Sequence, residues 1–197
     1  MEARDAAGMR VDDGVTVVPY RPAWVREFER VRDELRTALP AWVIGIEHVG
    51  STSVPGLLAK PIVDILVGVP DLARGLSLRA PMERLGFTYR PDDDIPDRHY
   101  FPRTVGGLRR HHVSVSVPGT RHHRNTLLFR DALRQDPARA QRYGALKQRL
   151  ASAAGRDRLD YLNGKTDFVL EVLRAAGGEV DGRDYPVRNL GRGLQNR

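Results

Sequence analysis

Pro61 to Val69 reads P-I-V-D-I-L-V-G-V, an almost unbroken apolar run that constrains the fold more than any other segment of the chain. A strand that alternates polar and apolar residues can face water on one side, whereas one that is apolar throughout is covered on both faces and lies at the centre of a sheet. Asp64 interrupts the run, and an ionised carboxylate in such a place needs hydrogen-bond partners or a metal. Upstream, Gly50 lets backbone amides approach an anion closely. Ser51 adds a hydroxyl at the start of a short helical or looped segment, where unpaired N–H groups favour phosphate. The pairing points to phosphate chemistry.

The whole stretch from His48 to Leu66, H-V-G-S-T-S-V-P-G-L-L-A-K-P-I-V-D-I-L, has the spacing of the nucleotidyltransferase signature, a Gly-Ser pair ahead of an acid-bearing strand. It closely resembles the GrpB family, also called UPF0157, because Gly-Ser-Thr, Val-Pro-Gly-Leu and Lys-Pro-Ile-Val-Asp-Ile occur together and in order. Weaker echoes lie at Tyr20 to Trp24, Phe129-Arg130-Asp131, Tyr143 to Lys147 and Tyr161 to Lys165. The resemblance implies an α+β class and a nucleotidyltransferase-like mixed β-sheet with flanking helices and a C-terminal helical segment.

One departure bears on chemistry. Residues i and i+2 of a strand share a face, so an active transferase uses two such carboxylates to hold metal ions about 3.5–4 Å apart. Here Leu66 follows Asp64 at that spacing. The strand expected over His111 to Val117 puts His112, Ser114 and Ser116 on one face and Val113, Val115 and Val117 on the other, and offers no third acid. Asp64 alone can still hold Mg²⁺ together with a substrate's own phosphates, since that ion keeps waters and seldom takes a full protein cage.

Composition sets the surroundings. At 197 residues with 41% hydrophobic content the chain suits one domain with a real core. It has no cysteine, which removes disulfides and thiolate metal sites. Neither a signal-peptide core nor a membrane-length apolar run is present, so a soluble cytoplasmic protein is the expectation. The formal charge of +7 suits an anionic partner, but only three of the 32 basic residues are lysine, a bias that reflects base composition more often than binding. No RNA- or DNA-binding motif supports a nucleic-acid partner.

Residues 1–13 and 177–197 read as flexible ends around a single domain over 14–176. Val15 to Tyr20 reads as a strand. Pro22 suits the first turn of a helix whose core stripe is Trp24, Phe28, Val31, Leu35 and Leu39. Ala41 to His48 reads as the next strand, Leu72 to Leu85 as a helix interrupted near Pro81, and Phe87 to Arg90 as a short strand. Asp92-Asp93-Asp94, between Pro91 and Pro96, reads as a solvated loop rather than a metal site. Tyr100 to Arg103 and His111 to Val117 pair through a turn at Gly106-Gly107. Helices follow over His122 to Gln135, from Asp136-Pro137 through Tyr143, Leu146 and Leu150, and from Asp157 to Ala176.

Each lysine stands out against the arginine background. Lys60, Lys147 and Lys165 all lie in segments that match the family, and Tyr143 with Lys147 and Tyr161 with Lys165 have i,i+4 spacing. A compact ammonium suits a polyphosphate, while the structural alternative is a solvated lysine lying over tyrosine. His112 can donate a proton or bind a phosphate, or make a purely structural hydrogen bond. His111-His112 and His122-His123 lack the cysteines and acids that zinc would need, and His48 reads as a turn-stabilising residue. Ser51 lies outside any Gly-x-Ser-x-Gly elbow and is read as a binder, not an acyl nucleophile.

Two functions are therefore open. One is transfer of a nucleotidyl or other phosphate-containing group from a nucleoside triphosphate to a small acceptor. In it Gly50, Ser51 and Lys60 cradle phosphates, Asp64 holds Mg²⁺, His112 and Ser114 face the reacting group, and Arg130, Lys147, Tyr161 and Lys165 serve the phosphate tail. The other, to which Leu66 lends weight, is a degenerate module of the same fold that binds a nucleotide or a protein partner without chemistry. The resemblance adds to it, since GrpB-like domains also occur fused to dephospho-CoA kinases, where an accessory or chaperone-like role is implied.

Overall fold

A computed structural model describes residues 16–91, 95–154 and 158–180, without the side chains of 154, 158 and 159. Its sheet has four strands, β1 (Gly45–Val49), β2 (Val63–Gly68), β3 (Arg98–Val105) and β4 (Leu108–Ser116), in the order β1-β2-β4-β3. β2 is central, as its apolar run requires: it pairs antiparallel with β1 and parallel with β4, and β4 pairs antiparallel with β3. The β3–β4 hairpin turns at Gly106 and Gly107, both with φ in the left-handed region that the turn needs.

Helix α1 (Ala23–Ala38) lays Trp24, Phe28, Val31 and Leu35 on one face of the sheet, against Val63, Ile65 and Val67 of β2 and Val113 and Val115 of β4. These strand residues alternate with Asp64, Leu66, His112 and Ser114, which face the other side. On that side α4 (Arg121–Gln135), α5 (Pro137–Ala154), α6 (Arg158–Asn163) and α7 (Thr166–Ala175) form a helical layer. Its separate core joins Val54 and Leu57 to Leu133, Tyr143, Val169 and Leu173.

Several expected boundaries shift. Val15 to Tyr20 does not form a strand over its described residues: Val18 alone bridges Ala59. The strand expected from Ala41 begins only at Gly45, and Phe87 to Arg90 contributes two isolated bridges to β3. The Leu72 to Leu85 helix is two, α2 (Leu72–Ser77) and α3 (Arg79–Arg84), divided at Leu78. Pro81 then occupies the first turn of α3, where its missing N–H costs no helical bond. The last helix is also two, α6 and α7, with Gly164 between them. A side chain at Gly164 would come within 2.4 Å of Leu150 on α5, so the chain turns where the helices touch. Asp136 caps α5 as expected, accepting a bond from the Arg139 N–H at 2.9 Å. The three aspartates 92–94 lie outside the described residues.

Leu35 has no exposed surface and sits between α1 and the sheet. Leu35→Ala is expected to lower unfolding free energy by about 2–5 kcal/mol, read as a lower midpoint in urea with the slope unchanged.

Candidate functional site

Gly50 follows β1 with φ 67°, and its bare α-carbon faces Asp64. A β-carbon there would stand 2.3 Å from Asp64 Oδ2 and 2.9 Å from the Asp64 Cβ, so only glycine lets the turn close on the carboxylate. The next residues, Ser51–Ser53, make one turn of 3-10 helix. His48 braces that turn: its Nε2 lies 3.0 Å from Thr52 Oγ1 and its ring stacks on Phe28. Burial pushes its pKa down to about 4, so it is neutral at physiological pH.

β2 and β4 bring Asp64 and His112 side by side in register. His112 Nδ1 donates to Asp64 Oδ1 at 3.0 Å, which fixes the tautomer and leaves Nε2 as the basic nitrogen of the neutral ring. Asp64 is more open than its strand suggested, with 38% of its side chain exposed. Leu66, one position along the same face, is fully buried.

These groups border a cavity of about 200 Å³, lined also by Ser51, Lys60, Lys147, Tyr161 and Lys165. All three lysines of the chain thus reach one place. Lys60 and Lys165 rest over the Tyr161 ring, 4.6 and 4.5 Å from its centroid. Burial pushes the Tyr161 hydroxyl up to about 12, so the ring remains a neutral platform. Lys147 is different, being only 2% exposed. It donates to Ser51 Oγ at 3.0 Å and to the Leu58 carbonyl, tying α5 to the turn and to the loop before β2. Burial, reinforced by the charge of Lys165 and opposed by Asp64, brings its pKa down to about 7.

A second cavity, about 390 Å³, shares Asp64 and Lys165 with the first and continues past Gly50 and Ser114 to Arg98, Arg121 and Asn125. Arg98 donates to Ser114 Oγ at 3.2 Å, and Asp97 caps the start of α4 through the His122 N–H at 2.8 Å. Sequence reasoning missed Arg98 and Arg121, for in so arginine-rich a chain neither stands out. Thr52, the partner of His48, was missed as well.

Arg130 is not brought to either cavity. It is held by Asp131 at 2.7 Å, by Glu47 at 2.9 Å and by the His48 carbonyl at 3.2 Å. The same pair occupies Glu47, which stands opposite Leu66 on the neighbouring strand. Among the described residues no group of three or more histidine, cysteine or acidic side chains can hold a metal. The donor set fits Mg²⁺ only where a ligand's phosphates complete the coordination beside the single Asp64 carboxylate.

An acid-bearing central strand fed by a Gly-Ser turn within such a mixed sheet defines a protein of nucleotidyltransferase-like fold. The structure of terminal uridylyl transferase 4 from Trypanosoma brucei with bound dUTP is similar, at a TM-score of 0.51 and 14% identity over 88% of this chain and 60% of that one, a likeness of fold alone. The chain belongs to the GrpB family, whose sequence model, GrpB protein, matches residues 14–175. A UPF0157 protein of Pseudomonas aeruginosa is 41% identical over 168 residues, 84% of this chain and 69% of its own length. The crystal structure of conserved protein GrpB from Enterococcus faecalis is similar at 36% identity and a TM-score of 0.75, covering 82% of this chain and 96% of that one. Among the described residues no helix is long and apolar enough to cross a membrane.

Lys147 gives the pH dependence. Below about pH 7 it is charged both folded and unfolded, and the full cost of its burial is present. Between about 7 and its ordinary 10.5 the unfolded chain holds the proton that the folded chain has released, so stability rises with pH across that window. The rise is on the order of a few kcal/mol. Lys147→Met is expected to flatten this part of the profile, measured by urea unfolding at pH 7 and 9.5.

Proposed function

We propose that the chain binds the phosphates of a nucleoside triphosphate in the smaller cavity and transfers a nucleotidyl or other phosphate-containing group to a small acceptor. The observation that carries this reading is the convergence of Ser51, Asp64, His112 and all three lysines on one cavity in a chain that otherwise uses arginine. A space of about 200 Å³ is too small for a whole nucleotide, since ligand pockets run from about 300 Å³ upward, but it suits the phosphate groups. The adjoining cavity of about 390 Å³ then takes the nucleoside or the acceptor.

Lys60 and Lys165, propped on Tyr161, neutralise phosphate oxygens, and Lys147 fixes Ser51 so that its hydroxyl and the turn amides meet the anion. Asp64 holds His112 at the border of the smaller cavity, where the imidazole meets the reacting group. Asp64 would hold Mg²⁺ together with the ligand's own phosphates, and the ion would supply charge neutralisation. Catalysis on this reading is positioning and electrostatics, worth most in a site closed to water.

A binding module without chemistry is the second reading, favoured by the fully buried Leu66 where a second carboxylate would stand. Calorimetric titration with each common nucleoside triphosphate, with and without Mg²⁺, separates the two. The transferase reading expects metal-dependent binding that loses its metal dependence in Asp64→Asn and weakens about tenfold in Lys165→Ala. Metal-independent binding indifferent to Asp64→Asn supports the module, and the absence of any nucleotide binding removes both nucleotide readings in favour of a protein partner.

A further inference from the structure

Directly behind the candidate site, on the α1 side of the sheet, lies a cavity of about 610 Å³. The two are back to back on neighbouring rungs: Val63 pairs with His111 and faces this cavity, while Asp64 pairs with His112 and faces the other. Its floor is a polar network built on the buried Arg103 and His111. Arg103 Nε donates to His111 Nδ1 at 3.1 Å, and His111 Nε2 donates to Glu27 Oε1 at 2.7 Å. Arg103 Nη1 donates to Glu34 at 2.9 Å, and Arg30 pairs with both Glu27 and Glu34.

That network accounts for only half of the basic groups. Arg21, Arg30, Arg103 and Arg110 line the cavity, and four guanidinium groups meet just the two carboxylates of Glu27 and Glu34, an excess of two positive charges. Arg21 and Arg110 are exposed and form no ion pair among the described residues. Arg103, only 8% exposed, keeps a buried Nη2 with no hydrogen-bond partner. A buried donor left unmet costs about 1–3 kcal/mol, which an acceptor in the cavity would recover once the guanidinium turns to meet it. The first turn of α1, which places Trp24 in the lining, carries neither an acid nor a side-chain cap, so the positive end of the helix dipole adds to the field.

We propose that this cavity binds a phosphorylated small molecule, with its phosphate on Arg21, Arg110 and Arg103 and its organic part against Trp24 and Leu85. A phosphate monoester carries about −1.5 to −2 charges near neutral pH, which matches the local excess, and guanidinium forks bind it bidentately. The cavity exceeds what phosphate alone would fill and falls within the usual range for small-molecule sites. This site is independent of the nucleotide reading of the opposite face.

Phenyl phosphate is the probe, followed by calorimetry and by Trp24 emission in a Trp42→Phe background. Saturable binding is expected, weakened at least about tenfold in Arg21→Glu/Arg110→Glu and unchanged in Lys165→Ala, which alters the front cavity alone. Both arginines are exposed, so the double variant folds. Phenol, which has the same ring without the charge, is expected to bind far more weakly. Binding unchanged in the double variant, lost in Lys165→Ala, or shared by phenol would overturn the site. Inorganic phosphate binding as tightly as phenyl phosphate would overturn the role of the organic part. Displacement by a single-stranded oligonucleotide in preference to phosphomonoesters would overturn the small-molecule assignment.

Discussion

One pair of hydrogen-bonded strands, β2 beside β4, sets what both faces of this molecule can do. The parallel register that puts Asp64 next to His112 also puts Val63 next to His111, because neighbouring residues of a strand point to opposite faces. A slip of one residue in either strand would exchange those faces, sending the apolar set to the helical layer and the polar set beneath α1. The register is held from both sides by burial, Ile65, Val67, Val113 and Val115 against α1 and Leu66 against the helices. The polar groups are thus located by the packing of their apolar neighbours.

Charge then divides along the same line. The smaller cavity of the helical face gathers the lysines, with Arg98 and Arg121 in the cavity beside it, whereas the cations of the α1 cavity are all arginine. A guanidinium keeps its proton when partly buried and satisfies several acceptors at once, as Arg103 does with Glu34, the Leu85 carbonyl and His111. An ammonium loses its proton more readily, and Lys147, pressed between Ser51 and Leu58, is brought down to about 7. An anion arriving beside Lys147 favours the protonated form again, so anion binding on that face is coupled to proton uptake. Arg103 offers no such coupling. The two faces therefore differ in how their attraction for anions varies with pH, a difference that follows from side-chain chemistry alone.

How legible this was in the sequence depended on the kind of signal. The α1 stripe, the central strand and the Gly106-Gly107 hairpin were plain because periodicity and turn chemistry are local. The breaks at Leu78 and Gly164 were harder. The first depends on how a proline is placed within a turn, and the second on Leu150, which lies on a different helix. Within the site, the convergence of Lys60, Lys147 and Lys165 was readable because lysine is rare in this chain, and the His112 pairing because its strand could be aligned with Asp64. The setting of Arg130 was not legible, for its position in a matching motif says nothing about Glu47, its partner far off in sequence. The Arg103–His111–Glu27 network left no sequence signal at all: its members come from α1, β3 and β4, and meet only once the sheet is built.

Leu66 fits this pattern. An acid there would itself be fully buried, next to Ser114 and opposite a Glu47 already claimed by Arg130. A fully buried carboxylate one position along from Asp64 would need a metal or a proton to be tolerated. With leucine, the helical layer can close over the upper part of the face without either, while Asp64 stays open at the lower end beside Gly50. Packing thus stands where a second charge would, and on the proposed reading the lysines, with Arg98 and Arg121 beside them, supply the cations while the ligand brings the negative charge.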